Sequence, residues 1–223
     1  MRRTLEELSS EVSGLIKDGD GYVNTDELAA AVQRGIARLS EAHPRKIIKD
    51  WTGDGSAKVF DMPTTYEGDF SNILRVIYPF DATAVTLGED IELSRLTLVE
   101  TTEGIFKLRC DFAPASAKTL RALFTAHHAV TAGSSTITTV AHEDSVIHWA
   151  AAECLRIMAA KAIAVGDSTI GADTVIYQSR SSQYKSLADF YEEQSGLNQI
   201  PAFIFNRVSV LMPDGSPYLT HAN

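Results

Sequence analysis

The chain has 223 residues, of which 44% are hydrophobic and 22% are charged. These are ordinary values for a globular protein and argue against wholesale disorder. A chain of this length buries about 70% of the surface that its unfolded form exposes, so it needs neither a disulfide nor a metal to hold a core. The 20 basic and 29 acidic side chains give a net charge of −9. That balance disfavours a protein whose main task is to grip nucleic acid phosphates, but not one that lies beside DNA without holding it.

The start of the chain turns acidic within seven residues and has no apolar run, so no secretory signal is expected. No stretch approaches the roughly 18 consecutive apolar residues of a membrane span. The two cysteines, Cys110 and Cys154, lie far apart and are expected to be small core residues rather than a disulfide. These features predict a protein that is made and used in a soluble, reducing cytosol.

Two amphipathic helices are predicted at the start of the chain, over residues 4–17 and 25–42, because apolar side chains recur there at helical spacing. Each begins with a capping-box pattern, such as Asn24 followed three residues later by Glu27. Pro44 closes the second helix. The first 45 residues therefore predict a helical hairpin.

From about residue 46 the apolar pattern changes from helical to alternating, which is typical of strands. The Gly-rich turn at 53–55 predicts a hairpin between its flanking strands, and Gly104 marks a second hairpin. The predicted strands cover residues 47–51, 57–60, 72–78, 96–100, 105–110 and 119–125. The block 46–138 is therefore predicted to be a small antiparallel β domain with one solvent-exposed face.

A long helix is predicted over residues 141–165 and a fourth helix over 182–195, joined by an irregular link at 167–181. Alanines surround much of the long helix, and small side chains on several faces are typical of a helix with several neighbours. Gly196 ends the fourth helix.

The fold class that these patterns predict is α+β: a bundle of about four helices with an inserted antiparallel β domain and an extended C-terminal tail. The predicted divisions are a helical hairpin, the β domain, the completing helices and the C-terminal arm, over residues 1–45, 46–138, 139–198 and 199–223.

The C-terminal arm is apolar, lacks helical periodicity and carries one basic and one acidic side chain. A terminal segment of this kind usually pairs with its own sheet or with another chain. The candidate partner-binding residues are Phe203, Phe205, Val208, Val210 and Leu211.

The loop between the first two helices resembles a calcium-binding EF-hand loop. With Gly21 at its sixth position, Asp18, Asp20 and Glu27 fall at the third, fifth and twelfth positions. The first position is then Ile16, which cannot bind a metal. The ligand count favours a plain connection in which Glu27 caps the second helix. A calcium-binding helix-loop-helix interaction module using Asp18, Asp20 and Glu27 stays open as the alternative.

Other signatures of catalysis or cofactor binding are missing. The six histidines have no metal-binding spacing, and strand alternation would point His127 and His128 to opposite faces. No nucleophile elbow, P-loop or dinucleotide fingerprint occurs. The sequence therefore predicts a structural or interaction protein without a cofactor rather than an enzyme. A weaker alternative is an enzyme whose site is composed between subunits.

The order of several segments resembles the head-to-tail adaptor (connector) proteins of tailed bacteriophages. The resemblance covers about residues 5–197, and its motifs are architectural and individually weak. The segments are 24–29 at the start of the second helix, 42–45 at its end, 51–56 leading to 60–63, 70–79, the Ala-rich helix, and 173–184 before the last helix.

The resemblance implies a non-enzymatic ring, typically of twelve subunits, under the portal protein of a DNA-filled capsid. It implies a place in the neck of a virion assembled in the host cytoplasm, and a C-terminal segment that reaches the portal or a downstream neck or tail protein. Genomic DNA would pass through the ring without specific binding, which an acidic lining suits. The β block departs from the smallest adaptors, which are all helical.

Overall fold

The computed structural model describes residues 2–83, 88–102, 104–166, 172–198 and 209–211, with backbone only for 165–166, 172–179 and 209–211. Within these residues it contains four α-helices together with antiparallel sheets, so the predicted α+β class is confirmed. The chain divides into two compact units. One comprises Met1–Pro44 and His128–Pro201, and the other comprises Arg45–His127 and Ala202–Asn223.

The first unit is helical and is built around its longest helix. It contains α1 (Leu5–Ile16), α2 (Thr25–Ala42), α3 (Val140–Gly166) and α4 (Ala172–Ser195). The other three helices all pack against α3, and α1 also packs against α2. Their apolar stripes form one core, in which Leu8, Leu39 and Leu155 are fully buried.

Both predicted capping boxes are present. The Asn24 side chain accepts a hydrogen bond from the Glu27 N–H at 2.8 Å, and the Glu27 carboxylate accepts one from the Asn24 N–H at 2.9 Å. Thr4 and Glu7 make the same reciprocal pair at the start of α1. These bonds satisfy N–H groups that the first turn of a helix leaves unpaired.

The helical unit also includes the segment that follows the strand Thr119–Ala126 of the second unit. Val130 and Ile137 are buried in the helical core, and the Thr131 carbonyl accepts a hydrogen bond from the Leu5 N–H. Residues 128–138, which the sequence analysis assigned to the β block, therefore belong to the helical unit.

The fourth helix starts at Ala172, so the irregular link predicted for 167–181 is wrong from residue 172 onward. Its first turns contain the β-branched residues Thr174, Val175 and Ile176, which do not suggest a helix. β-Branched residues lower helix propensity only slightly, and neither Pro nor Gly interrupts this run.

The second unit consists of two four-stranded sheets. The first has the order β1 (Arg45–Thr52), β7 (Thr119–Ala126), β3 (Ile73–Phe80) and β4 (Glu89–Asp90), and all its pairings are antiparallel. The second has the order β2 (Val59–Asp61), β6 (Ile105–Cys110), β5 (Leu96–Thr102) and β8 (Ser209–Leu211). Both sheets contribute buried side chains, such as Phe124 and Leu108, to one core.

The predicted β5–β6 hairpin is confirmed, with Leu98 opposite Leu108. The predicted hairpin across 53–55 is wrong, because β1 pairs with β7 and β2 pairs with β6, in different sheets. The glycine turn bonds instead to a distant segment, with the Gly53 N–H donating to the Lys118 carbonyl. A Cβ on Gly53 would lie only 2.5 Å from the Pro114 carbonyl oxygen, so glycine permits this close approach.

Candidate functional sites

The candidate calcium ligands of the loop between α1 and α2 each contact a different group. Asp18 accepts a hydrogen bond from the Val23 N–H at 2.6 Å, and Asp20 lies 3.2 Å from the Arg180 guanidinium. The Glu27 carboxylate forms an ion pair with the Lys161 ammonium, whose Nζ lies 2.7 and 2.8 Å from the two carboxylate oxygens.

Lys161 extends from α3 and also donates to the Tyr22 carbonyl at 2.6 Å, so it fastens the loop to the long helix. This ammonium holds the pKa of Glu27 below its ordinary value, aided by the hydrogen bond from the Asn24 N–H. Asp18 Oδ1 is buried and makes no hydrogen bond within the described part of the chain. One such oxygen is far from the six to eight that calcium requires.

The described residues include no cluster of three or more His, Cys, Asp or Glu side chains that could hold a metal ion. The calcium hypothesis therefore gains no support from the geometry around Asp18, Asp20 and Glu27.

The two adjacent histidines contact different groups. His127 stacks on Phe70 with ring centroids 3.5 Å apart, and its Nδ1 lies 2.5 Å from a Glu67 carboxylate oxygen. His128 Nε2 lies 2.9 Å from the His43 carbonyl oxygen, so its N–H tautomer donates there.

Three histidines that are distant in sequence meet in the helical unit. The His43 and His142 rings stack at 5.0 Å with an interplanar angle of 14°, and the His128 ring is 6.5 Å from that of His142. Sequence reasoning missed this cluster, because 85 residues separate His43 from His128 and no spacing motif marks the contact.

The predicted partner-binding residues lie in the C-terminal arm, of which only the strand β8 is described. Val210 and Leu211 stand opposite Leu98 and Val99 in a parallel pairing with β5. The arm thus pairs with its own sheet at these positions. Phe203, Phe205 and Val208 lie outside the described residues, and partner binding by the arm stays a prediction.

The outer side of α4 carries two exposed apolar side chains one turn apart, Leu187 (41% exposed) and Phe190 (51%). The spacing of Tyr184, Leu187, Ala188 and Tyr191 in the sequence predicts that all four lie on one apolar face of this helix. Ala188 is buried and Tyr191 packs against the helical core, whereas Leu187 faces outward.

Most alanines of α3 are explained by packing within the chain. Ala150, Ala151, Ala152, Ala159 and Ala162 are all buried, whereas Ala160 and Ala164 are exposed. Because α1, α2 and α4 each pack against this helix, close contact inside one subunit explains the buried alanines. The buried alanines carry no argument for packing between subunits.

Charge is divided unequally between the two units. The helical unit has 9 basic and 16 acidic side chains, a net charge of −7, whereas residues 45–127 have 10 and 12, a net charge of −2. The remaining residues, 202–223, have one of each. The acidity of the chain is therefore mainly a property of its helices.

No protein-family model matches this chain, and no curated protein matches its sequence. In the part of the chain that the structure describes, no helix combines the length and the apolar character needed to cross a bilayer.

Proposed function

We propose that this chain is the subunit of an adaptor ring in the neck of a tailed bacteriophage. The ring joins the portal of the capsid to the tail or to the next neck protein and surrounds the DNA exit channel. One observation carries the proposal. Residues 1–44 and 128–201 fold together into an acidic four-helix unit, and a β unit is inserted between α2 and α3. This is the order of segments on which the resemblance to adaptor proteins rests.

The charge distribution supports a passive role beside DNA. A basic lining would bind the phosphates through counterion release and hold the genome in place. The helical unit, with a net charge of −7, would repel the phosphates instead. Such a surface suits a channel through which DNA passes without specific binding.

Assembly requires a surface that a single subunit leaves unpaired. Leu187 and Phe190 provide one on α4, where a small apolar area is exposed. Burial of such side chains between subunits would stabilise a ring.

The test is size-exclusion chromatography with light scattering, on the chain alone and mixed with the portal protein that is encoded with it. We expect a ring alone or on the portal, and no retardation of duplex DNA at physiological salt. Phe190→Asp should weaken assembly without unfolding the subunit, because the side chain is exposed. Ile48→Asp introduces the same charge at an equally exposed apolar position of the β unit and serves as the control. A strict monomer that does not bind the portal would refute the proposal.

A further inference from the structure

The chain passes between its two units twice, and a histidine stands at each crossing. His43 precedes the crossing at Pro44–Arg45, and His128 begins the helical unit after the crossing at His127–His128. The His128 N–H donates to the Ser40 hydroxyl at 2.9 Å, and its ring Nε2 reaches the His43 carbonyl at the same distance. These bonds tie the outgoing segment to the returning one.

A third histidine, from the first turn of α3, completes the cluster. His142 stacks on His43 and meets His128 edge-on. Its Nδ1 is buried and has no hydrogen-bond partner within the described part of the chain. The rings of His43, His128 and His142 thus lie together although they come from three separate segments. A proton added to His142 Nδ1 would have no hydrogen-bond acceptor in the described part of the chain to stabilise it.

The neighbouring carboxylates are committed to other partners. On α3, Glu143 accepts a hydrogen bond from the Arg3 N–H at 3.0 Å, and Asp144 pairs with the Arg3 guanidinium at 2.8 Å. On α2, Glu41 pairs with Arg38 at 2.7 Å.

His127 faces Glu67 within the β unit and is not part of the cluster. Burial lowers the pKa of His142, and the neighbouring His43 and His128 lower it further.

We propose that His43, His128 and His142 form a pH-sensitive switch at the two crossings of the chain. With His142 neutral, the three rings pack together beside the outgoing and returning segments. A proton on His142 places a charge without a partner in this buried space, and the packing of the two segments loosens. The switch does not depend on the ring assembly proposed above.

The sign follows from the lowered pKa of His142. Stability from a neutral histidine is fully present above the pKa of the unfolded chain, about 6.5, and is lost as the pH falls through the lower folded value. We therefore expect the crossings to loosen below about pH 6.5, by about tenfold in the opening equilibrium for each unit by which the pKa is lowered.

Hydrogen exchange of the full chain between pH 7.5 and 5, corrected for intrinsic exchange rates, tests the switch. Protection around residues 43–46 and 125–129 should fall with acidification in the wild type. His142→Phe keeps a stacked ring that cannot titrate and should remove most of this pH dependence. His148→Gln changes a histidine of the same helix that stacks on Tyr191 outside the cluster, and should respond like the wild type.

Equal pH responses in the wild type and in His142→Phe would overturn the proposal, as would a wild type whose protection ignores pH. If His142→Phe fails to fold, NMR titration of the histidine rings in the wild type provides the test instead. A midpoint for His142 at or above the ordinary histidine value of about 6.5 would also overturn it.

Discussion

The most informative perturbation is a stop codon after Asn198, which removes the C-terminal arm. Its described strand, Ser209–Leu211, pairs with β5 at three positions. Leu197, which lies immediately before the last residue kept in this truncation, is only 1% exposed and belongs to the helical core. We therefore expect residues up to 197 to be essential for the stability of the fold and residues from 199 onward to be dispensable for it.

The expected magnitude for the strand follows from its length. Each backbone hydrogen bond contributes a net of about 0.5–1.5 kcal/mol, and fixing each residue costs about 1–2 kcal/mol. For a strand of three residues the two contributions largely offset each other, so the unfolding free energy should change by no more than about 2 kcal/mol. Leu197→Ala in the full chain empties a buried site and should cost about 2–5 kcal/mol.

Urea unfolding followed by circular dichroism measures both changes, and light scattering with the portal protein measures docking. The truncated chain should keep a cooperative transition but dock more weakly, whereas Leu197→Ala should shift the transition. Truncation also uncovers the edge of β5 at Thr97–Val99, which favours association through that edge. If the truncated chain loses its cooperative transition, the arm belongs to the core and the reasoning is refuted.

Two further predictions test the packing of the helical unit and the placement of the thiols. Gly14→Ala fills open space in α1 and should stabilise the protein by about 0.5–1 kcal/mol, whereas Gly35→Ala should gain less or destabilise it, because its Cβ would lie 3.1 Å from the Val146 carbonyl oxygen. Urea unfolding of the two variants decides this, and an equal gain would contradict the packing of α2 on α3. Burial raises the pKa of Cys110 to about 11 and that of Cys154 to about 12, so a thiol reagent at pH 8 should label neither in the native chain and both after unfolding. Rapid labelling of either native thiol would contradict its burial.

The elements that the sequence predicted best are those whose signals are local. The capping box of Asn24 and Glu27 begins α2 at the residue that the pattern indicated, because its donors and acceptors lie within one turn. The Gly104 turn likewise joins two strands that pair with each other. A local sequence pattern therefore predicts the structure correctly when the residues that it pairs are also close in the sequence.

The failures share the opposite property. The Gly53 turn resembles a hairpin, but its partners are Lys118 and Pro114, some sixty residues away. The histidine cluster depends on a contact between His43 and His128 that no motif encodes. Nor could periodicity show that Leu187 faces outward, because it lies beside the inner face that Ala188 and Tyr191 define.

The small residues of α3 correctly predicted close packing, but they could not show whether the neighbouring helices belong to the same chain. Small residues on several faces of α3 did indicate several neighbours, and the other three helices of the same chain supply them. In the proposed ring, contacts between subunits would therefore use surfaces that these helices leave free. On α4, Asp189 and Glu192 face Arg156 of α3. Leu187 precedes Asp189 by two residues, which places it about 200° around the helix. The apolar side of α4 therefore points away from the ion pairs that fasten this helix to its own subunit, as a surface reserved for a neighbour would.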